Sequence, residues 1–480
     1  MESKPHFVLV PLLAQGHMIP MLDMAHLLAE RGARVSYITT AVNAGRIKTT
    51  IDRIKESGLP IHFVEFQLPC AKAGLPEGCE NFDLLPSIDF FKSMMLAIGM
   101  LREPLELYLR AQHSPPACII TDFCNPPETT DAARELRIPR VIFHTTSCFF
   151  PLCAHLIYRH KIFDRIIDEY ETFLVPDFPG EAIEVNKVQA PGFFGGLASE
   201  DLLESALKAE ATAEGLVINS FDELEPSYIQ QYEKMLGKKV WTIGPLCLYN
   251  KDVDNKVTRG NNSSIDNRKI LTWLDSKEEM SVIYISFGSY ALVGPSQLIE
   301  IGSGLEASNK PFIWVVKGVE RSIPEVEKWL CEFEERTSSR GIIIRGWAPQ
   351  MVILSHPAVG GFLTHCGWNS TLEAVAAAGV PMVTWPRVAD QFLNEKLVVQ
   401  VLRIGVSAGL KVPSSYLAED SDVVVKRDDI EKAVWNLMDG GEEGEERRKR
   451  AKDLGEKARR AMDEGGSSYM NMKHLLQYFS

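Results

Sequence analysis

Residues 347–391 read WAPQMVILSHPAVGGFLTHCGWNSTLEAVAAAGVPMVTWPRVADQ. Val359 to His365 is a short apolar run ending in a polar residue, which predicts a buried strand with His365 at its tip. Cys366-Gly367-Trp368 reads as a turn, and Asn369-Ser370-Thr371 opens an alanine-rich helical run from Leu372 to Ala378. Strand, glycine turn and helix, in that order, aim the free backbone N–H groups of the helix start at whatever lies beyond the strand. Such a terminus favours an anion, above all a phosphate. His365, Asn369 and Ser370 add side-chain donors at the same point. A second strand, Val380 to Trp385, follows at once and leads to Asp390-Gln391. Two adjacent strand ends, one with anion donors and one with an acid and an amide, suit a phosphate and a polyol held together. A purely structural reading stands beside this one. Ser370-Thr-Leu-Glu373 fits a capping box, in which Glu373 serves only its own helix, and Asn369 or Ser370 then acts as an N-cap.

Outward from this stretch, the same alternation of strand and helix repeats. Ser281 to Phe287, Phe312 to Val316 and Gly341 to Arg345 read as strands, with Pro295 to Ser308 a helix and Gly288-Ser289 a turn. At the other end of the chain, Phe7 to Leu13 is a continuous apolar run, as in a strand buried on both faces. Ala14 to Pro20 reads as a turn, Met21 to Ala29 as a helix stopped by Gly32, and Val35 to Thr40 as the next strand. This β-loop-α-β start belongs to a parallel, doubly wound sheet, whose ligands bind at the carboxyl ends of the strands. His17 occupies that position. So does Asp122, at the end of the strand Cys118 to Asp122. The strand Val141 to Ser147 ends in hydroxyls, Thr145 and Thr146 among them. Residues 69–100 and 150–203 read as irregular. Asn250 to Asn267, rich in Asn, Asp, Lys and Gly, reads as an exposed linker and a domain boundary. Gly440 to Arg460 is a charged surface helix and Met470 to Phe479 an amphipathic one.

Several function classes fall away on composition and motif. With 480 residues the chain has room for two or three domains. A net charge of -13 argues against nucleic acid or an anionic membrane as partner. Nine scattered cysteines without a Cys-x-x-Cys pair point to reduced thiols and a cytoplasmic location. No stretch approaches the roughly 18 apolar residues of a membrane span. The apolar start, broken by Gln15-Gly16-His17, lacks a clean signal-peptide cleavage site. Gly302-Ser-Gly304-Leu-Glu-Ala307 matches a loose dinucleotide fingerprint, but it falls within a helical run and not after a strand. That, and the lack of a glycine fingerprint after Leu13, weighs against a nicotinamide-dependent oxidoreductase. Asp252-Val-Asp254 and Asp420-Ser-Asp422 match a D-x-D metal pattern but lie in polar, strand-poor segments, so no metal is expected.

The stretch 347–391 closely resembles the signature box of the plant UDP-sugar-dependent glycosyltransferases that modify small secondary metabolites, and the resemblance extends from Phe7 to the C-terminal helix. It implies an α/β protein of the GT-B class, with two Rossmann-like doubly wound parallel-sheet domains facing across a cleft. Residues 1–249 would be the acceptor-binding domain, 250–267 the linker, 268–460 the UDP-sugar domain, and 461–480 a helix returning to the first domain. The implied reaction is inverting sugar transfer with a UDP-sugar as co-substrate and no cofactor. His17 would be the general base, oriented by Asp122. Trp347, Ala348, Gln350 and Glu373 would hold the nucleoside, with Trp347 stacked on uracil. His365, Asn369 and Ser370 would hold the diphosphate, with Ser289 nearby. Trp368, Asp390 and Gln391 would contact the sugar, and Thr145 or Thr146 would approach its 6-hydroxyl. Glutamine at the last box position goes with UDP-glucose. Phe90, Met94, Phe149 and Phe193 would line the acceptor pocket. A flavonoid or related phenol is the first acceptor class, a triterpenoid or steroid alcohol the alternative, and attack by ring carbon a further one. A non-catalytic nucleotide-sugar-binding protein is the alternative of another class. A monomer is expected.

One departure from the family pattern lies between Glu373 and Gly379, where Ala-Val-Ala-Ala-Ala carries one extra alanine. An added residue turns a helix by about 100°. The expectation is that the C-terminal end absorbs it, as a π-bulge or a longer last turn, and that Glu373 keeps its direction.

Overall fold

Among the described residues, seven strands in one sheet and six in another organise the chain. The computed structural model describes residues 4–190, 200–249, 259–260, 264–289, 293–317, 323–413, 424–439 and 441–480. The first sheet contains β1 (His6–Val10), β2 (Arg34–Thr40), β3 (Ile61–Phe66), β4 (Cys118–Asp122) and β5 (Arg140–His144). After a small antiparallel hairpin of β6 (Thr172–Leu174) and β7 (Glu184–Asn186), it is completed by β8 (Gly215–Ile218) and β9 (Lys239–Thr242). Its order is β3-β2-β1-β4-β5-β8-β9, and all neighbours run parallel. The second sheet contains β10 (Val282–Ser286), β11 (Phe312–Val316), β12 (Gly341–Arg345), β13 (Val359–Thr364), β14 (Met382–Thr384) and β15 (Gly405–Ser407). Its order is β12-β11-β10-β13-β14-β15, again parallel throughout. β1, β4, β5, β10 and β13 are buried at every position, as apolar runs covered by helices on both faces must be. These are the two facing Rossmann-like sheets of a GT-B fold.

Strand order decides where a ligand can enter. The first sheet reverses direction between β1 and β4, the second between β10 and β13. Chain leaving two such strands departs to opposite faces, which opens a crevice at their carboxyl ends. His17 and Asp122 stand at the first reversal, Ser289 and His365 at the second. The helix Ser467–Tyr478 follows the second sheet in sequence but buries Met472 and Leu475 in the core of the first, with Phe7, Val217 and Trp241.

Several element boundaries differ from the sequence reading. β1 stops at Val10, before Pro11, and Leu12 and Leu13 turn into a separate apolar cluster. The first helix, α1, spans Gln15–Glu30, so Ala14 to Pro20 is not a turn and His17 lies in a helical first turn. Gly16 and Pro20 conceal that start, because both weaken a helical pattern. Trp368 is the first residue of its helix, which runs Trp368–Ala377, and not part of the preceding turn. The strand expected over Val380 to Trp385 pairs only through Met382–Thr384. The segments taken as irregular contain the helices Phe91–Gly99 and Phe149–Arg159. Their aromatic content masks a helical spacing of buried residues, such as Phe149, Leu152, Cys153 and Leu156. Gly302 and Gly304 lie inside the helix Pro295–Ala307, where they admit Trp329 and Ile430 at close quarters, so they bind no dinucleotide. The two D-x-D segments, Phe193 and most of the 250–267 linker lie outside the described residues.

The extra alanine is taken up at the end of the Trp368–Ala377 helix without a π-turn. Gly379 N donates to Val375 O (3.1 Å) and Val380 N to Ala374 O (2.9 Å). A Schellman end closes with bonds spanning three and five residues. Here they span four and six, one residue wider at each level, with Gly379 in the left-handed region at φ 71°.

Candidate active site

The first helical turn after β1 and the tip of β4 bring His17 and Asp122 together across adjacent strands. His17 Nδ1 lies 2.8 Å from Asp122 Oδ2, and the Thr145 hydroxyl lies 3.1 Å from the same nitrogen. Asp122 is fixed in turn by the backbone N–H of Cys124, which donates to Oδ1 at 2.9 Å. This arrangement leaves Nε2 of the ring to face substrate. Burial opposes protonation of His17, but the charge and hydrogen bond of Asp122 together with the charge of Asp390 outweigh it, so its pKa lies above the ordinary value. Cys124 completes a trio with His17 and Asp122 whose polar atoms lie within 4.8 Å of one another. Burial, with Asp122 and Asp390 nearby, raises the Cys124 thiol well above its usual range. The set suits proton transfer.

The second cluster forms at the β13 tip and the start of the Trp368–Ala377 helix. The His365 ring is packed so tightly that a Cβ on Gly288 or Gly367 would stand 2.5 or 2.4 Å from its Nε2, which explains both glycines. Burial, reinforced by the cations Lys317 and Arg387, lowers the His365 pKa to about 3 and keeps the ring neutral. Its Nδ1 has no partner among the described residues. Gln350 Nε2 donates to Ser370 Oγ (3.0 Å) and to Glu373 Oε2 (2.7 Å), while Tyr284 OH donates to Gln350 Oε1 (3.3 Å). Glu373 therefore points into the site and does not close a capping box; the helix start has no side-chain cap. Its other oxygen is bound by Arg259 Nη1, and Arg259 Nε donates to Asp23 in α1 at 2.9 Å. Gly260 lies against the Trp347 indole, whose Nε1 is buried without a partner among the described residues. Ala348 is buried beside this group and accepts the Gln350 backbone N–H at 2.9 Å.

Asp390 and Gln391 form the third part. Gln391 Oε1 accepts the backbone N–H groups of Arg387 (2.9 Å) and Val388 (3.1 Å), which ties the loop back on itself. Asn394 Nδ2 holds Asp390 Oδ2 at 2.8 Å and also donates to Cys366 O. Burial raises Asp390 to about 6, against the opposing bond from Asn394. Ser289 lies partly buried just beyond β10. Two of the residues assigned to the sugar have protein partners of their own. The Trp368 indole N–H donates to Asn219 O of the first domain (2.7 Å). Thr145 is engaged with His17, while the Thr146 hydroxyl is buried without a partner among the described residues. Met94 and Phe149 are fully buried, and Phe90 is partly buried. Arg259, Asn219, Tyr284 and Asn394 were not picked out from the sequence. Only Asn394, one helical turn after Asp390, left a signal that could have been followed.

A histidine–carboxylate pair and an uncapped helix start, carried at the strand-order reversals of two Rossmann-like sheets, suit a transferase that uses a nucleotide-sugar. Comparison with known proteins agrees. The family model for glycosyltransferase N-terminal domains matches residues 6–248, and that for UDP-glucuronosyl and UDP-glucosyl transferases matches residues 213–430. UDP-glycosyltransferase 73C6 of Arabidopsis thaliana is 46% identical over 477 residues, which cover 98% of this chain and 96% of that protein. The structure of Glycyrrhiza uralensis UGT73P12 with glycyrrhetinic acid 3-O-monoglucuronide aligns at a TM-score of 0.88 and 37% identity, covering 99% of this chain and 96% of that one. Arabidopsis thaliana UGT89C1 with quercetin aligns at 0.74 and 28%, covering 99% and 100%. The chain belongs to the UDP-glycosyltransferase family and is an enzyme that uses a UDP-sugar as co-substrate.

Proposed function

We propose that this enzyme transfers glucose from UDP-glucose, with inversion, to a hydroxyl of a small polycyclic acceptor. The observation that carries the reading is the His17–Asp122 pair, 2.8 Å apart, with His17 in the turn that meets the donor helix. His17 Nε2 removes the acceptor proton while Asp122 holds Nδ1–H and stabilises the imidazolium. The acceptor oxygen bonds to the anomeric carbon as the bond from that carbon to the diphosphate breaks, and UDP leaves. His365, Asn369, Ser370 and the free N–H groups of the helix start take up the charge that develops on the leaving group. Gln350 and Glu373 hold the nucleoside beside Trp347, and Asp390 and Gln391 the sugar; glucose follows from Gln391 by the family pattern. All these groups come from one chain, in keeping with a monomer. The nine unpaired cysteines suit a reducing, cytoplasmic setting. Among the described residues no helix is long and apolar enough to cross a membrane.

For the acceptor, a triterpenoid or steroid alcohol moves ahead of a flavonoid. UGT73P12, at a TM-score of 0.88, was solved with a triterpenoid glucuronide, whereas the quercetin complex aligns at 0.74. The test is UDP release from UDP-glucose with triterpenoids, sterols and flavonols, on wild type and His17→Ala together. Turnover with a triterpenoid or sterol, reduced on the order of 10²–10⁴-fold in His17→Ala, is expected. Turnover on flavonols alone would overturn the acceptor assignment, and undiminished turnover in His17→Ala would overturn the base.

A further inference from the structure

In an α-helix each carbonyl accepts the N–H four residues on. For Gly16 in α1 that residue is Pro20, which lies within the helix. Proline has no N–H, and its ring presses the same carbonyl outward. The Gly16 carbonyl is instead taken by Asn369 Nδ2, from the first turn of the donor helix in the other domain. A Cβ on Gly16 would stand 3.5 Å from that nitrogen, an ordinary contact, so the interface uses the carbonyl and not the missing side chain. An amide nitrogen carries two hydrogens. One is held by Gly16, and Asn369 Oδ1 is buried with no partner among the described residues, so the amide is oriented by this bond alone. His17 is the next residue along, so the same turn carries both the base and the contact with the donor helix.

We propose that Pro20 is a positioning residue for the transfer reaction. By withholding a helical hydrogen bond from Gly16, it reserves that carbonyl for Asn369. This orients the second Asn369 N–H toward the donor diphosphate and registers the turn bearing His17 against the donor helix. The inference rests on the reading of Asn369 as a donor-site residue.

Pro20→Ala restores the missing N–H and lets α1 reclaim the carbonyl. Removal of a proline from a helix interior strengthens the helix, so the melting temperature should hold or rise. UDP affinity, measured by calorimetry, and the KM for UDP-glucose should both weaken roughly twofold to tenfold, the worth of one neutral hydrogen bond. The change in kcat at saturating donor should be smaller. In an Asn369→Ala background, Pro20→Ala should have no further effect. Weaker UDP binding in Asn369→Ala but not in Pro20→Ala would overturn the inference alone. So would additive effects in the double variant, or a fall in melting temperature that parallels the loss of affinity. If Asn369→Ala leaves UDP affinity unchanged, the donor-site reading fails and this inference falls with it.

Discussion

In the proposed reaction His17 must be neutral to accept a proton, so the rate should climb as pH rises through its pKa. Burial pulls that pKa down, but the charge and hydrogen bond of Asp122 together with the charge of Asp390 pull it up, and the balance lies above the ordinary value. Asp122→Asn removes the stronger carboxylate. The acidic limb of the kcat/KM profile should then move to lower pH, while the plateau falls on the order of 10²-fold because the ring loses its orienting acceptor. A limb that stays in place would show that another group titrates there. The dyad was legible in the sequence because each member ends or follows a buried strand, and strand ends of doubly wound sheets are where ligands bind. Its partners were not. The Thr145 hydroxyl reaches His17 from a residue 128 positions away, and Arg259 joins Asp23 to Glu373 over spans of 236 and 114. No local pattern encodes such contacts.

At the scale of elements, the buried strands were readable from unbroken apolar runs, and β4, β11 and β12 have the limits their runs suggest. Helices were harder wherever a glycine or proline was placed for a purpose other than stopping one, as in α1. The donor helix shows how its two ends can differ in role. Its start carries the groups proposed to face the diphosphate. Its end, widened by one residue, docks on the helix Gly441–Met462, where a Cβ on Gly379 would stand 2.3 Å from Ala451 O. Gly379 also adopts φ 71°, where an L side chain costs about 1–2 kcal/mol. Gly379→Ala should therefore lose at least that much stability in a denaturant titration, and more if the helices must part. The KM for UDP-glucose should change less than about twofold, as expected of sites with no shared partner. A large rise in KM at unchanged stability would mean that the extra alanine couples the helix end to Glu373 after all.

The whole molecule is held together by elements that cross between its halves. Trp368 donates to Asn219 O, Asn369 to Gly16 O, and Gln189 to Lys411 O, so the second half of the chain grips the first at several points. The largest crossing is made by the helix Ser467–Tyr478. Its Leu475 is fully buried under the first sheet, Ser468 Oγ donates to Gly244 O, and Asn471 Nδ2 to Thr242 O. A segment last in sequence thus completes the core of the domain that comes first. A chain of this size and domain number is not expected to unfold as one unit. Leu475→Ala leaves a cavity in that core and should cost about 2–5 kcal/mol. The cost should fall on one side of the molecule. Amide exchange should accelerate in β8 and β9, which lie over the helix, and stay close to wild type in β10 and β13. UDP affinity of the folded protein should be retained, because the donor groups rest on the second sheet. Equal acceleration in both sheets would show that the interdomain grips, and not the separate cores, set the cooperative unit.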